Sequence, residues 1–145
     1  MPKSKLPNQV IGNIGLYYIC YELSKRGWNV LPTSRNTRGV DLIIYNQNAN
    51  IMHTAQIKTL SKKTPIPLGK NLDNLIAEFI MVCVLEAEKP QVFVFTTEEM
   101  KQREDIQGKI DKGKGKGFWA VNNNRAWDEL LQSKLNNWEL IGDGC

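Results

Sequence analysis

In the first part of the chain, residues 8–26, apolar residues recur at the three- to four-residue spacing of a helix. Asn8 stands at the start, where a side-chain oxygen can cap the free N–H groups of a first turn. Lys25 and Arg26 bring positive charge to the end, and Gly27 accepts the left-handed backbone that stops a helix. The pattern therefore predicts a helix with a broad apolar face, formed by Ile11, Ile14, Leu16, Tyr17, Tyr18, Ile19 and Leu23.

Three segments rich in β-branched and aromatic residues follow this helix. Residues 28–32 predict a short strand that ends at its proline. Residues 40–45 and 51–60 predict an antiparallel hairpin across a turn of polar residues. Residues 61–68 are basic and interrupted by prolines, which predicts a loop.

The second half of the chain begins with two almost wholly apolar segments, residues 79–85 and 91–96. Such segments are typical of strands that are buried on both faces of a sheet. The remaining pattern predicts a helical turn at residues 72–78, a helix at 98–106 capped by Thr97, a glycine- and lysine-rich loop at 109–117, an edge strand at 118–121 and a closing helix at 124–135.

This order of elements predicts one domain, residues 1–145, built as an α/β sandwich with a central mixed β-sheet flanked by helices. A chain of 145 residues with 41% hydrophobic residues is large enough to bury such a core. No segment has the roughly 20 apolar residues of a membrane helix, and no secretory leader stands at the start. We therefore expect a cytoplasmic protein without a membrane partner.

Cysteine and histidine content excludes two classes of site. The chain has three widely spaced cysteines and a single histidine, His53, so it predicts neither a disulfide framework nor a zinc centre. The net charge of +4 is compatible with a polyanionic partner but does not require one.

Candidate chemistry lies on the predicted hairpin. Asp41 opens one strand, and Gln56 and Lys58 lie two residues apart on the next, where their side chains share a face of the sheet. The Asp41 carboxylate, the Gln56 amide oxygen and the backbone carbonyl of Ile57 are hard oxygen ligands suited to Mg²⁺. A lysine beside such an ion can orient water and offset charge on a phosphate.

This arrangement of Asp41, Gln56 and Lys58 resembles the active-site motif of the PD-(D/E)XK nuclease superfamily, in its Q-x-K variant. The helix before Trp28 and the strand that begins at Gly39 resemble the opening of those nucleases as well. The resemblance implies a restriction endonuclease-like fold and a Mg²⁺-dependent endonuclease that hydrolyses DNA phosphodiester bonds, with Mn²⁺ as a substitute ion. It also implies a homodimer.

One departure from the family pattern concerns the first helix. Many members carry a metal-binding glutamate directly after a pair of glycines, whereas here Gly12 and Gly15 are followed by Leu16. Glu22 lies six residues further along and faces another side of the helix. Two alternatives therefore stay open: a nuclease-fold DNA-binding protein whose catalytic residues have decayed, and an unrelated small α/β protein.

Basic residues surround the predicted site along the sequence. Lysine and arginine on loops are suited to contacts with phosphates, and glycines between them allow close backbone approach. The candidates for nucleic-acid binding are Arg35, Arg38, Lys62, Lys63, Lys112, Lys114 and Lys116.

Overall fold

A five-stranded mixed sheet forms the centre of the computed structural model, which describes residues 5–34, 39–111 and 115–145. Its strand order is β1-β2-β3-β5-β6. Only β3 and β5 pair in parallel, and the other neighbours are antiparallel. The strands span Asn29–Pro32 (β1), Leu42–Tyr45 (β2), Met52–Leu60 (β3), Phe79–Val84 (β5) and Gln91–Thr96 (β6).

A second sheet of three strands lies beside the first, in the order β4-β8-β7. It consists of Ile66–Gly69 (β4), Gln107–Asp111 (β7) and Gly115–Ala120 (β8). The loops predicted at residues 61–68 and 109–117 are therefore wrong in part, and the predicted edge strand at 118–121 belongs to the central strand of this sheet. Pro67 is accommodated because β4 is an edge strand, where a missing N–H costs no ladder bond.

The helices are α1 (Asn8–Lys25), α2 (Thr97–Lys101) and α3 (Asn124–Ser133), with short 3-10 helices at Leu72–Asn74 and Trp138–Leu140. The predictions for α1 and α3 are confirmed, but α2 ends five residues before its predicted end. The predicted caps are wrong: Pro7 precedes α1 without a side-chain cap, and Thr96 rather than Thr97 caps α2. None of the helices in the described ranges is long and apolar enough to cross a bilayer.

Each face of the central sheet carries its own hydrophobic cluster. On one face α1 packs against β3 with Ile19 and Leu23 fully buried, and Gly15 lies so close to Thr59 that a Cβ on the glycine would collide with it. On the other face the second sheet and α3 bury Ile80, Val82 and Trp127. Gln56 and Lys58 pair with Ile80 and Val82 in the parallel register, which places them on the face away from α1.

The last residues of the chain return to the junction between α1 and β1. The Gly144 N–H donates to the Arg26 carbonyl at 3.1 Å, and the Gln47 N–H donates to the Gly144 carbonyl at 2.8 Å. The Trp28 indole N–H donates to the carbonyl of Gly142 at 3.1 Å, a contact between residues 114 positions apart. This C-terminal segment, residues 142–145, therefore joins α1, β1 and the β2–β3 turn.

Candidate active site

Asp41 lies just before β2, where the strand pairing with β3 becomes irregular. Leu42 is the register partner of Ala55, yet the Asp41 N–H also donates to the Ala55 carbonyl at 2.9 Å. Two residues of one strand thus face one residue of the other, which is the arrangement of a β-bulge. A bulge re-aims the side chain at that position, and here it directs the Asp41 carboxylate toward the backbone of β3.

The Asp41 carboxylate is fixed at this edge by the backbone of the neighbouring strand. Its Oδ2 atom accepts a hydrogen bond from the Ile57 N–H at 2.8 Å. A charge-assisted bond of this kind is stronger than a neutral one and restricts the orientation of the carboxylate. The Oδ1 atom is not used in that bond, so one oxygen remains for a ligand.

A cavity of about 880 Å³ opens between α1 and the ends of β2 and β3, and Asp41 and Ile57 lie in its wall. Asn8, Asn13 and Leu16 contribute the α1 side. Among the residues the structure describes, Asp41 is the sole carboxylate that lines this cavity. The negative charge at this site therefore comes from one residue.

Gln56 and Lys58 line a smaller cavity of about 390 Å³ on the opposite face of the sheet. Its remaining wall comes from Gly39 and from the segment after β4, including Lys70 and Asn71. The Gln56 Oε1 atom is buried and has no hydrogen-bond partner within the described part of the chain. A buried acceptor without a partner is costly, which marks this atom as a position for a ligand.

Lys58 lines the smaller cavity and interacts electrostatically with Asp41, which lines the larger one. Burial lowers the pKa of its ammonium group below the usual value for lysine, and the negative charge of Asp41 raises it part of the way back. The structure thus places Asp41 within electrostatic reach of Lys58 and in contact with Ile57. It does not place Asp41 and Gln56 in one cavity, so the predicted grouping of the three side chains stays a prediction.

The oxygen donors of Asp41 and Gln56 are of the chemical type that magnesium prefers, although they line different cavities. Mg²⁺ is usually held by one or two carboxylates, with waters and substrate phosphates completing its shell. Asp41 supplies one carboxylate to the larger cavity, and the unpartnered Gln56 amide oxygen is a hard donor in the smaller one. In the described ranges no cluster of three or more His, Cys, Asp or Glu side chains offers an alternative metal centre.

The first helix supplies no acid to this site. Leu16, which directly follows the glycine pair of α1, lines the Asp41 cavity. Glu22 is engaged elsewhere, because its carboxylate receives the Arg26 guanidinium at 2.7 Å and lies 3.7 Å from the Lys25 ammonium. The sequence-based expectation that Glu22 is turned away from the site agrees with this pairing.

The predicted nucleic-acid contacts are only partly described. Arg35, Arg38, Lys112 and Lys114 lie outside the described residues. Lys62 lines the Asp41 cavity, Lys63 is half-buried beside it in sequence, and Lys116 lies on β8 with its ammonium 5.3 Å from the centre of the Phe118 ring. Sequence reasoning missed Lys5 and Lys70, which line the two cavities, because neither stands near the hairpin in sequence.

Comparisons with known proteins bear on the fold. No family model and no curated protein matches the chain. The bacterial homing endonuclease I-Ssp6803I is similar in structure, with a TM-score of 0.59 and 20% sequence identity. The match covers 93% of this chain and 92% of the endonuclease chain. The Holliday junction resolvase Hjc of the archaeal hyperthermophile Archaeoglobus fulgidus is also similar, with a TM-score of 0.56 and 13% sequence identity. That match covers 91% of this chain and 96% of the resolvase chain. The chain therefore has a restriction endonuclease-like α/β fold, as the sequence predicted.

Proposed function

We propose that this protein is a Mg²⁺-dependent DNA endonuclease that hydrolyses phosphodiester bonds and uses the Q-x-K form of the PD-(D/E)XK site. The observation that carries the proposal is the placement of Asp41: a single carboxylate, fixed by the Ile57 N–H, in the wall of a large cavity and within electrostatic reach of the half-buried Lys58. The fold shared with a homing endonuclease and with a Holliday junction resolvase supports the same class of reaction.

In this proposal each residue of the site has a separate role in hydrolysis. Asp41 and the Gln56 amide oxygen would hold the ion, with the Ile57 carbonyl as a further ligand. The ion would supply Lewis acidity and lower the pKa of bound water. In this proposal the Lys58 ammonium group would orient the attacking water and stabilise negative charge that develops on the phosphate. Its partial burial strengthens that interaction because screening by water is reduced.

Lys62 extends the proposed site toward the nucleic-acid backbone. It lines the cavity that contains Asp41, and Lys70 lines the cavity that contains Lys58. Positive charge in both cavities is suited to contacts with the phosphates that flank a cleavage position. Lys63 and Lys116, with Arg35, Arg38, Lys112 and Lys114, are proposed as further phosphate contacts.

Nicking of a supercoiled plasmid in the presence of Mg²⁺ or Mn²⁺ tests this function. We expect Asp41→Asn to abolish nicking, because the amide keeps the size of the side chain and its acceptor for the Ile57 N–H but removes the charge that holds the ion. Asp128→Asn, on the exposed face of α3, is the matched control and should nick at the wild-type rate. Equal nicking by Asp41→Asn and the control would exclude Asp41 from the site.

A second candidate function is favoured by Leu16. With a leucine in place of the helix glutamate, the site has one carboxylate fewer than many relatives, which is the pattern of a decayed nuclease that still binds DNA. A gel shift in EDTA combined with plasmid nicking over a range of Mg²⁺ concentrations separates the two functions. The decayed protein would shift DNA without metal and leave the plasmid intact at every metal concentration, whereas the enzyme would shift it in EDTA and nick it once metal is added.

A further inference from the structure

Two strands of the second sheet extend past the end of the third. β4 pairs with β8 and ends at Gly69, whose register partner is Phe118. β7 continues to pair with β8 past that point, as far as Gly115. The extension is three residues long, or roughly 10 Å at the rise of a strand. We call residues 107–111 and 115–118 the β7–β8 ribbon.

One face of the ribbon passes from the core to the surface. Phe118 is half-buried and packs against the core. Side chains alternate along a strand, so Lys116 lies on the same face as Phe118, and so does its register partner Ile110. Ile110 is 83% exposed, more than any other large apolar side chain in the described residues. The ribbon therefore holds an apolar side chain beyond the edge of the core.

Positive charge is concentrated around this isoleucine. Positions 107–120 of the sequence contain four lysines and one aspartate, a net charge of +3, compared with +4 for the whole chain. Lys109 and Lys116 are exposed on the described part of the ribbon. An apolar side chain among lysines is suited to a polyanion that also offers an apolar group for contact.

The other face of the ribbon is covered by Trp119. A Cβ built on Gly117 would lie 2.9 Å from the Trp119 Cη2 atom, so the indole ring lies over this glycine. Gly117 is the register partner of Lys109. The indole therefore supports the ribbon where it leaves the core, and a preorganised element loses less entropy when it binds.

The ribbon begins beside the smaller cavity of the proposed site. Gly69 and Lys70 line that cavity together with Gln56 and Lys58. Gly69 is also the register partner of Phe118, from which the ribbon extends. Because β4 and β8 are antiparallel, the ribbon continues in the direction in which β4 leads to Lys70. A duplex that is bound at this cavity would therefore meet the ribbon.

We propose that the β7–β8 ribbon enters the major groove of the DNA, where Ile110 reads the sequence by contact with the methyl group of a thymine. A two-stranded ribbon fits the width of the major groove, and the thymine methyl is an apolar group exposed there. Lys109 and Lys116 have side chains long enough to reach the phosphates that border the groove, and such contacts fix the register of a protein on a duplex. The inference rests on the proposed function, because it needs duplex DNA as the substrate.

Selection from random DNA duplexes in EDTA tests this readout without cleavage. The probe is a pool of short duplexes with a random central segment, bound to the full chain. We expect the wild-type protein to enrich sequences with a thymine at a fixed position. The enriched duplex is then made with uracil in place of that thymine, which removes the methyl group and leaves the pairing intact.

Comparison of the thymine and uracil duplexes assigns the contact to a residue. We expect the wild-type protein to bind the uracil duplex about fourfold more weakly, which is the effect of burying one methyl group. Ile110→Ala should bind the two duplexes with nearly equal affinity. Ile51→Ala is the matched control, because this isoleucine is 47% exposed at the turn between β2 and β3, at the opposite end of that hairpin from Asp41. The control should discriminate like the wild type, and circular dichroism verifies that both variants are folded.

Three results would overturn the inference. Selection could enrich no sequence with a fixed thymine. Uracil could leave the wild-type affinity unchanged. Finally, Ile110→Ala could discriminate as strongly as the Ile51→Ala control, which would assign the methyl contact to another residue.

Plasmid nicking separates these failures from failure of the proposed function. A wild-type protein that nicks DNA but does not distinguish thymine from uracil is an endonuclease without this readout. A protein that neither nicks nor binds DNA contradicts both the proposed function and the inference.

Discussion

Gly15 tests how closely the first helix must approach the central sheet. A Cβ built on Gly15 would lie 2.8 Å from Cγ2 and 2.9 Å from Cβ of Thr59, and it would overlap the Thr59 hydroxyl. Rotation of the threonine does not relieve this contact, because its Cβ is fixed by the backbone of β3. We expect Gly15→Ala to push α1 away from β3 at a cost of about 1–3 kcal/mol from overpacking. The better helix propensity of alanine offsets about 1 kcal/mol of that cost.

Gly12 provides the matched control on the same helix. A Cβ at Gly12 has no atom within 4 Å, so Gly12→Ala gains helix propensity without a clash. We expect it to stabilise the protein by about 0.5–1 kcal/mol. Urea denaturation followed by tryptophan fluorescence should therefore move the two midpoints in opposite directions. Equal midpoints for Gly12→Ala and Gly15→Ala would refute the close approach.

Removal of the opposing side chain extends this test. Thr59→Ala takes away the hydroxyl and Cγ2, which are two of the three atoms nearest the new Cβ. The double variant Gly15→Ala/Thr59→Ala should therefore be more stable than the sum of the single effects, with a coupling free energy of about 1 kcal/mol. Strict additivity would show that the hydroxyl and Cγ2 of Thr59 are not the obstacle.

Further predictions concern the proposed site. Gln56→Glu adds a negative charge and should lower the Mg²⁺ concentration for half-maximal nicking; an unchanged or higher midpoint would mean that Gln56 is not a ligand. Lys62→Ala/Lys63→Ala should reduce the slope of log affinity for duplex DNA against log salt by about 1.8, and an unchanged slope would exclude both phosphate contacts. Lys58→Met should abolish nicking and yet stabilise the fold near pH 7, because it removes a charge that is costly to bury. Since the folded pKa of Lys58 is lowered, wild-type stability rises with pH from that pKa toward the unfolded value, and the advantage of methionine should shrink over the same window.

The elements that the sequence predicted well are the apolar segments that end at clear turn or stop residues. The first helix, the hairpin of β2 and β3 and the buried strands β5 and β6 each carry a pattern that one type of structure satisfies. The second sheet lacks such a pattern, because Pro67 interrupts β4 and the glycines and lysines of β7 and β8 resemble a loop. Those strands are stabilised by pairing with one another and by Ile66, Leu68 and Ala120 in the core, which only the folded protein brings together.

The candidate site shows the same division between local and distant information. The spacing of Gln56 and Lys58 fixes their common face of β3, and the hairpin brings Asp41 to that strand. The bulge at Asp41 depends on the pairing with Ala55 and was not visible in the sequence, so the separation of the site into two cavities was not predicted. Lys70 was missed for a related reason, because its place beside Lys58 follows from the path of the chain after β4.

The C-terminal segment has a consequence for the order in which this protein folds. Its contact between Trp28 and Gly142 closes a loop of 114 residues, so the entropy of loop closure opposes its early formation. Docking of the C-terminal segment onto the junction of α1 and β1 is therefore expected to occur late, after the central sheet has formed, with its native contacts largely absent from the transition state. Substitutions at Gly142 or Gly144 should then act mainly by speeding unfolding and only weakly by slowing folding. The C-terminal segment therefore affects the unfolding rate, and hence the lifetime of the native state, more than the folding rate.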